Sequence, residues 1–270
     1  MHQPRSRPFL KWAGGKYRLL DKLAPHLKGG KLIEPFVGSG AVFLNQNFDR
    51  YLLGDINPDL INLYGFLKKE QGKFVKYSQT FFTSENNIKQ QYLDFRHEFN
   101  NGLKGRRRAA LFVYMNRHGF NGLCRYNKSG GFNVPFGRYA KPYFPEKEMQ
   151  HFIKHAKKAT FVCGDFVSIM NRARRGDVIY CDPPYVPLSP TASFTSYAAQ
   201  GFSYDQQVEL AYRAKHLAGR GVKVVISNHD NAITRQIYED ASIESFPVRR
   251  FISCDGAKRG EAKELLAVYE

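Results

Sequence analysis

Residues 178–185 read Val-Ile-Tyr-Cys-Asp-Pro-Pro-Tyr, and this stretch carries most of the information about the fold. Its first half, Val178–Cys181, is a run of β-branched and aromatic side chains, which is typical of a buried strand. The two prolines that follow end the strand and stiffen the chain just beyond it. Open parallel sheets bind ligands at the carboxyl edge of their strands. The stretch therefore predicts a strand that presents Asp182 and Tyr185 to a binding site.

The residues Asp182, Pro183, Pro184 and Tyr185 also point to a type of chemistry. An exocyclic amino group of a nucleobase donates two hydrogen bonds, and the Asp182 carboxylate and the Pro183 carbonyl supply two acceptors. These acceptors would draw the nitrogen lone pair out of conjugation, while the Tyr185 ring stacks on the base. We interpret the four residues as a site that methylates a base amino group. Alone, they are also typical of a proline-rich turn after a core strand.

The composition indicates a folded protein with a polyanionic partner. A chain of 270 residues with 43% hydrophobic content can form one large domain, or a domain with a sizeable insertion, around a real core. It has 41 Lys and Arg against 24 Asp and Glu, a formal net charge of +17. This imbalance is too large for a protein whose partners are only small molecules.

The positive charge is concentrated between residues 96 and 158, which hold 14 basic and three acidic residues and so account for +11 of the +17. A basic segment can bind anionic lipid or nucleic acid. Here the charges alternate with aromatic residues among glycines and prolines and do not form an amphipathic helix, which favours nucleic acid. The aromatic residues are Phe120, Tyr126, Phe132, Phe136, Tyr139 and Tyr143.

Several classes of protein are disfavoured. No apolar stretch approaches the roughly 20 residues needed to span a bilayer, and residues 1–8 lack the core of a signal peptide. We therefore expect a cytoplasmic protein, associated with the nucleoid through DNA, with no membrane partner. The four cysteines form no C-x-x-C pair and the eight histidines show no ligand spacing, so we predict neither a disulfide framework nor a metal site.

A glycine loop near the N-terminus predicts a nucleotide cofactor. A short strand at 31–34 leads into Pro35-Phe36-Val37-Gly38-Ser39-Gly40, and residues 41–47 are predicted to form the helix after it. This is the layout in which Gly38 and Gly40 allow close approach of a nucleotide, although Phe43 occupies the third glycine position of G-x-G-x-x-G. A second glycine pair, Gly14-Gly15, stands beside Trp12 and precedes a helical pattern over 17–27.

Asp55 strengthens this prediction. It ends the predicted strand 51–54 and lies 17 residues after Gly38, near the place of an acid that binds ribose hydroxyls. The loop is flanked by the acids Glu34 and Asp55 and has no basic phosphate clamp, so S-adenosylmethionine fits better than NAD. Asp165-Phe166, after the predicted strand 160–164, could hold the adenine of the cofactor; closure of a core strand is the alternative.

The remaining chain alternates helices and strands and predicts an α/β fold. Residues 58–115 have a helical pattern, and residues 116–143 predict a hairpin with its turn at 127–131. The loop 186–201 has the length of a lid or substrate loop, and Ser203 opens a helix with a capping box. Strands are predicted at 222–227, 243–248 and 265–269. We assign 1–57 and 159–270 to a catalytic domain and 58–158 to target recognition.

The chain resembles the Dam-type DNA adenine-N6 methyltransferases, which act on GATC, over essentially its whole length. The resemblance is carried by the runs 9–16, 33–45, 121–127, 132–139, 180–185 and 225–230. It implies a Rossmann-like S-adenosylmethionine-dependent sheet with a DNA-recognition insertion, acting as a monomer on double-stranded DNA by base flipping. It also implies that S-adenosylmethionine is contacted by Trp12, Lys16, Asp55 and Asp182.

The resemblance further assigns roles in reading DNA. It implies that Lys11 and Arg125 read the guanines of the two outer base pairs, for which Lys and Arg are the usual donors. The other implied contacts are to the thymine methyl from Leu123 and Pro135, to phosphates from Arg138 and Tyr139, and to the duplex beside the flipped adenine from Phe120 and Asn121. Some relatives have tyrosine at Phe120, so stacking survives there and any hydrogen bond from the hydroxyl does not.

Three interpretations stay open on sequence alone. The basic run Arg106–Arg108 is either a solvated helix face or a phosphate contact. The same chemistry on N4 of cytosine, or on an adenine of RNA, would use the same pocket residues. A DNA-binding protein with a decayed methyltransferase fold is the third, although the presence of Asp55, Asp182 and Tyr185 counts against it.

Overall fold

The structure is a computed structural model that describes residues 5–186, 202–248 and 262–270. These ranges contain seven strands: β1 Lys31–Glu34, β2 Arg50–Asp55, β3 Ala159–Cys163, β4 Val178–Cys181, β5 Lys223–His229, β6 Ser242–Val248 and β7 Ala262–Tyr269. They also contain nine α-helices: α1 Leu20–Leu23, α2 Pro58–Glu70, α3 Gly72–Gln79, α4 Lys89–Asn100, α5 Gly105–His118, α6 Glu146–Ala156, α7 Phe166–Met170, α8 Tyr204–Ala218 and α9 Ala232–Ile237. Almost all of the predicted loop 186–201 lies outside the described residues.

The strands form one sheet in the order β3-β2-β1-β4-β5-β7-β6. β1 pairs in parallel with β2 and β4, and β4 pairs in parallel with β5, whereas β7 runs antiparallel between β5 and β6. The strand order reverses between β1 and β4. In α/β sheets, ligands bind beyond the carboxyl ends of the strands at such a reversal, and Asp182 directly follows β4. The predicted α/β class is confirmed.

The chain divides into two compact units. Unit 1 consists of Met1–Asp21, Val37–Asn47 and Asp55–Cys163, and unit 2 of Lys22–Phe36, Phe48–Gly54 and Gly164–Glu270. The core of unit 1 includes the fully buried rings of Phe9, Tyr64 and Phe152, with centroids 4.6–6.0 Å apart. Phe9 thus anchors the segment that carries Lys11 and Trp12. The assignment of 58–158 to target recognition stays a prediction.

Two helices near the N-terminus are shorter than predicted. The pattern over 17–27 gives a 3-10 turn, Lys16–Leu19, and the single turn α1. Pro25 explains this, because it has no N–H and disfavours helical geometry at the residue before it. The predicted helix 41–47 is wrong beyond the 3-10 turn Phe43–Asn45. The Asn45 amide donates to the carbonyls of Ala41 and Ser6, at 2.8 and 2.9 Å, and the backbone then extends.

The predicted hairpin exists, but without regular strands. Isolated bridges join Gly119 to Phe136 and Tyr126 to Phe132. The Asn127 N–H donates to the Gly131 carbonyl at 2.8 Å, which closes the expected turn. Gly122 in one arm and Pro135 in the other lie between the bridges and favour irregular backbone there.

Each arginine of the basic run at the start of α5 is paired with an acidic side chain, while Arg106 and Arg107 remain about 40% exposed. Arg107 forms a hydrogen-bonded ion pair with Glu98 (Nη2 to Oε2, 2.8 Å), and Arg108 one with Asp59 (Nη2 to Oδ2, 2.9 Å). Arg106 lies 2.7 Å from the carboxylate of Glu70. These three pairs connect α5 to α4 and α2.

His118, the last residue of α5, predicts sensitivity to acid. Only 1% of it is exposed, its ring stacks on Tyr114 at 3.8 Å, and burial lowers its pKa from 6.5 to about 4. As the pH falls, the unfolded chain therefore binds a proton before the folded protein does. The stability that neutral His118 contributes is complete above pH 6.5 and is lost progressively toward pH 4. The loss is on the order of 3 kcal/mol.

We expect His118→Phe, which keeps the stacking, to flatten the dependence of unfolding free energy on pH across this window. Urea unfolding followed by circular dichroism at several pH values between 7 and 4.5 measures it. The substitution also removes the contact of Nδ1 with the Tyr114 carbonyl at 2.9 Å, so the slope and not the absolute stability is the readout. An unchanged slope would show that His118 does not dominate the acid response.

Candidate active site

Asp182 is held in one orientation by the neighbouring strand. In unit 2, β5 lies beside β4 in register Cys181 with Ile226, which places Ser227 next to Asp182. The Ser227 hydroxyl donates to Oδ1 of Asp182 at 3.1 Å, and the Tyr180 hydroxyl lies 2.9 Å from the Ser227 hydroxyl. A carboxylate fixed through one oxygen can direct its other lone pairs at a ligand.

The two proline carbonyls have different environments. The Gln207 side chain donates to the Pro184 carbonyl at 2.8 Å. No described residue donates a hydrogen bond to the Pro183 carbonyl. The acceptor that the sequence assigned to the substrate amine is thus the one of the two to which no side chain or backbone group of the described residues donates.

A network of buried amide side chains holds the loop that contains Pro184 and Tyr185. The side chains of Gln207 and Asn228 are fully buried and join each other through a hydrogen bond of 3.2 Å. Asn228 Oδ1 accepts from the Val186 N–H at 3.1 Å, while Gln207 holds Pro184. The peptide groups on both sides of Tyr185 are therefore fixed by two buried amide side chains that are hydrogen-bonded to each other.

Tyr185 is also held at its ring. Its hydroxyl donates to Oε2 of Glu264 at 3.1 Å, and its edge meets the His229 ring with centroids 4.7 Å apart at 81°. Burial raises the pKa of the Tyr185 phenol well above its ordinary value, so the ring stays neutral at physiological pH. These two contacts fix the orientation of the Tyr185 ring in the absence of a bound base.

The sequence analysis missed the supporting residues Ser227, Asn228, Gln207 and Glu264. A signal existed for two of them, because Ser227-Asn228 follows the apolar run Val224–Ile226. Polar residues at the end of a buried strand carry the same information as Asp182 after β4. Gln207 and Glu264 had no comparable signal, since their partners are distant in the chain.

In unit 1, the glycine loop and Asp55, the last residue of β2, are joined directly. The Gly38 N–H donates to Oδ2 of Asp55 at 3.1 Å, and the Asn57 N–H donates to Oδ1 at 2.9 Å. Burial raises the pKa of Asp55, and these backbone hydrogen bonds act in the opposite direction. The carboxylate retains unused lone pairs that ribose hydroxyls can occupy.

Gly38 is required for a steric reason that the sequence only suggested. Its φ is +46°, and a Cβ there would lie 2.8 Å from Nε1 of Trp12. The Tyr64 hydroxyl donates to the Gly38 carbonyl at 2.5 Å. Gly40 has a φ of +74°. Buried Lys16 donates to the Gly14 carbonyl at 2.7 Å, so its ammonium is already engaged with the backbone of the second glycine pair.

The remaining predicted cofactor residues lie in unit 2. Phe36 stacks on Phe166 at 5.6 Å, and both rings contact Phe202. Phe166 is 6% exposed, so packing accounts for it, and a contact with adenine stays a prediction. Asp165 is exposed and caps α7 by accepting from the Ser168 N–H at 2.9 Å, which lowers the pKa of Asp165.

One further cofactor candidate escaped the sequence analysis. Ile56, directly after Asp55, is 72% exposed, a higher fraction than for any other large hydrophobic residue that the structure describes. An exposed apolar side chain next to a ribose-binding acid offers a surface for a base. The signal in the sequence was an apolar residue between Asp55 and the helix cap Asn57.

The predicted DNA-reading residues are all in unit 1 and many of them contact one another. The Phe120 N–H donates to the Pro135 carbonyl at 2.8 Å, and the Asn121 N–H donates to the Tyr139 hydroxyl at 2.9 Å. Lys11 brings its ammonium to 4.5 Å from the centroid of the Tyr139 ring. The exposed members are Phe120, Asn121, Arg125, Pro135 and Arg138, and the half-buried members are Lys11, Leu123 and Tyr139.

Arg125 is oriented by Asn133. Its Nε donates to Asn133 Oδ1 at 2.8 Å, and Nη2 donates to the Asn133 carbonyl at 3.2 Å. The Asn121 backbone has φ +54° and Arg138 also has φ +54°, a conformation that turns successive side chains away from a regular strand. An arginine fixed through Nε can present its terminal nitrogens as a fork.

The described residues contain neither a cluster of metal-ligand side chains nor a helix suited to span a bilayer. In residues 5–186, 202–248 and 262–270, no three His, Cys, Asp or Glu side chains lie together as metal ligands would. None of the helices that the structure describes is both long and apolar enough to span a bilayer.

Gly38 yields a prediction for cofactor binding. Alanine at φ +46° is strained, and its Cβ would push the Trp12 indole aside. We expect Gly38→Ala to weaken binding of S-adenosylmethionine roughly 10-fold or more, measured by calorimetry without DNA. Gly130→Ala is the matched control, since Gly130 has φ +79° and nothing within 4 Å of its Cβ position. Equal losses of affinity in both variants would show that the contact with Trp12 does not account for the effect of Gly38→Ala.

The sheet is mainly parallel, a glycine loop follows β1, an acid ends β2, and an Asp-Pro-Pro-Tyr loop follows β4 at the strand reversal. Together these features define a methyltransferase of the Rossmann-like class. A sequence model of the D12 class N6 adenine-specific DNA methyltransferases matches residues 12–251. A DNA adenine methylase of Vibrio cholerae serotype O1 is 52% identical over 98% of this chain and 96% of the relative. The DNA adenine methylase of Escherichia coli K12 is 51% identical over the same shares.

The chain therefore belongs to the D12 class N6 adenine-specific DNA methyltransferases. A third relative, the DNA adenine methylase of Serratia marcescens, is 51% identical over 98% of this chain and 99% of its own length. Cytosine, RNA and a decayed binding protein are thereby disfavoured. A solved structure of a putative RNA methyltransferase from Pyrococcus horikoshii aligns over 98% of this chain and 88% of its own, with a TM-score of 0.42 and 8% identity, too weak a similarity to bear on function.

Proposed function

We propose that this DNA adenine methyltransferase transfers the methyl group of S-adenosylmethionine to N6 of adenine in GATC, in duplex DNA, after flipping the adenine out of the stack. The observation that carries the proposal is the pair of acceptors after β4. The Asp182 carboxylate is fixed by Ser227, and the Pro183 carbonyl accepts no hydrogen bond from the described residues. Two acceptors held in this way match the two N–H groups of an exocyclic amine.

The residues of unit 1 fit an adenosine without phosphates. Asp55 can accept from the ribose hydroxyls, Gly38 and Gly40 permit close approach, and Ile56 offers an apolar surface to the adenine. Lys16 donates to the Gly14 carbonyl at 2.7 Å, so at least one of its three N–H groups is directed at the backbone. In unit 2, Asp165 and Phe166 are further candidates for the adenine. When bound, S-adenosylmethionine supplies an electrophilic methyl group, so no nucleophilic side chain is needed.

Asp182 and the Pro183 carbonyl have three tasks in the reaction. They orient N6, they localise its lone pair for attack, and the Asp182 charge balances the positive charge that develops on the nitrogen. Tyr185, held by Glu264 and His229, provides a stacking surface for the adenine. Buried Cys181 needs no part in the reaction, because the amine itself attacks the methyl group.

The contacts within unit 1 support reading of GATC. Lys11 and Arg125 are donors suited to guanine O6 and N7, Leu123 and Pro135 are suited to the thymine methyl, and Phe120 is exposed as a stacking wedge. Arg138 and Tyr139 are suited to phosphates. We further propose that the protein acts as a monomer on nucleoid DNA in the cytoplasm.

Methyl transfer to matched duplexes tests the proposal. Label from S-adenosylmethionine is followed on duplexes that differ only in GATC versus GTAC, and the labelled base is identified after hydrolysis. A third duplex has 2-aminopurine in place of the target adenine, and its fluorescence should rise when the base is unstacked. Label confined to N6 of adenine in GATC, with that rise, is the expected result. Equal labelling of GTAC would overturn the assignment of the base readers, and an unchanged fluorescence would overturn base flipping.

A further inference from the structure

We propose that Asn116 is a positioning residue that fixes Lys11 and couples it to the turn carrying Phe120 and Asn121. This inference rests on the proposed function, in which Lys11 reads the guanine of one outer base pair. Asn116 itself lies near the end of α5 with 2% of its surface exposed, so it cannot touch DNA directly.

The Asn116 side chain pairs with the backbone of Lys11 on both sides. Its Oδ1 accepts from the Lys11 N–H at 2.9 Å, and its Nδ2 donates to the Lys11 carbonyl at 2.8 Å. The second proton of Nδ2 goes to the Gly122 carbonyl at 3.1 Å. Both donors of the amide are thus used, and one side chain joins Lys11 to a turn more than a hundred residues away in the chain.

Lys11 is held along its side chain as well. A Cβ on Gly122 would lie 2.4 Å from Cβ and 2.3 Å from Cδ of Lys11, so the aliphatic stem rests directly on the Gly122 backbone. The ammonium lies 4.5 Å from the centroid of the Tyr139 ring, and the Tyr139 hydroxyl accepts from the Asn121 N–H at 2.9 Å. The backbone of Lys11 is joined to the turn through Asn116, its stem rests on Gly122, and its ammonium reaches the turn through Tyr139.

This arrangement has a consequence for specificity. If the turn with Phe120 and Asn121 enters the duplex, Lys11 is placed with it, so reading of one outer pair depends on correct insertion. Arg125 is oriented separately, by Asn133. Loosening Asn116 should therefore impair discrimination at the Lys11 pair and spare discrimination at the Arg125 pair, a difference that a general loss of stability would not produce.

The experiment measures kcat/KM on hemimethylated duplexes, which fix the orientation of the enzyme. One is GATC, and two others replace one or the other outer G·C pair by A·T. Lys11→Ala identifies the pair that Lys11 reads. Asn116→Ala is expected to lose discrimination at the same pair, by about 10-fold, and to retain it at the other.

The chain contains a matched control for the loss of an asparagine side chain that hydrogen-bonds to both backbone groups of another residue. Asn100 holds Phe132 in the same way, accepting from its N–H at 2.8 Å and donating to its carbonyl at 3.0 Å. Phe132 is buried and is not a proposed reader. We expect Asn100→Ala to leave the discrimination at both outer pairs as in the wild type.

A second variant covers the case in which Asn116→Ala does not fold. Gly122→Ala leaves Asn116 in place but drives a Cβ into the stem of Lys11, and should cause the same selective loss. Gly102→Ala is its control, with φ +81° and nothing within 4 Å of its Cβ position, against φ +63° at Gly122. Thermal melts confirm that the compared variants are folded.

The outcomes separate the two proposals. If Lys11→Ala changes discrimination at neither outer pair, the assignment of Lys11 as a reader fails. If Lys11→Ala does so while folded Asn116→Ala and Gly122→Ala do not, the positioning role of Asn116 is overturned. Equal loss at both outer pairs in the Asn116 variant would also overturn it, because that pattern indicates a general disturbance of the recognition surface.

Discussion

Asp182→Asn is expected to lower kcat for methyl transfer roughly 1,000-fold. The substitution keeps the shape of the side chain but removes its charge and replaces one acceptor oxygen by a donor. Ser227 already donates to Oδ1 of Asp182. An amide at this place either turns a donor toward Ser227 or turns one toward the substrate amine, and in both orientations the positive charge developing on N6 is left unbalanced.

Single-turnover methylation of a GATC duplex measures this effect, with DNA affinity determined in parallel. Asp205→Asn is the matched control, because it makes the same chemical change in the same unit. Asp205 is an exposed residue in the first turn of α8. We expect DNA binding to be retained in both variants. A kcat within 10-fold of the wild type for Asp182→Asn would refute the assigned role of this carboxylate.

Arg125→Ala has the second largest expected effect, on specificity. A bidentate contact to guanine accounts for about 1–3 kcal/mol of discrimination, or about 5- to 150-fold. Asn133 accepts hydrogen bonds from Nε and from one N–H of Nη2 of Arg125, which fixes the orientation of the guanidinium group. We therefore expect Arg125→Ala to lose selectivity at one outer base pair while it continues to methylate adenine.

Arg138→Ala provides the comparison for Arg125→Ala. Arg138 is exposed, and the proposed contact is to a phosphate, which carries no sequence information. Its loss should weaken binding to GATC and GTAC duplexes alike and reduce the slope of log affinity against log salt by about 1. Relaxed selectivity in the Arg138 variant, or a uniform loss in the Arg125 variant, would show that the two roles are exchanged.

The success of the strand predictions and the failure of two helix predictions have different physical origins. The bounds of β1 and β4 follow from short apolar runs closed by proline, a local property that the sequence displays directly. The truncation of the helix over 17–27 was also local, because Pro25 marks its end. The cause of the missing helix after Gly40 was not local, because the Asn45 side chain hydrogen-bonds to Ser6, which lies 39 residues away in the chain.

The sequence by itself determined the α/β class, the glycine loop with Asp55, the Asp-Pro-Pro-Tyr loop and the concentration of basic residues between 96 and 158, because strand propensity, glycine, proline and charge act locally. Only the tertiary structure decided which groups support them. Ser227 meets Asp182 across 45 residues, Asn116 meets Lys11 across 105, and Asp59 receives Arg108 across 49. Such partners are chosen by the pairing of strands and the packing of helices, so no local pattern of residues specifies them.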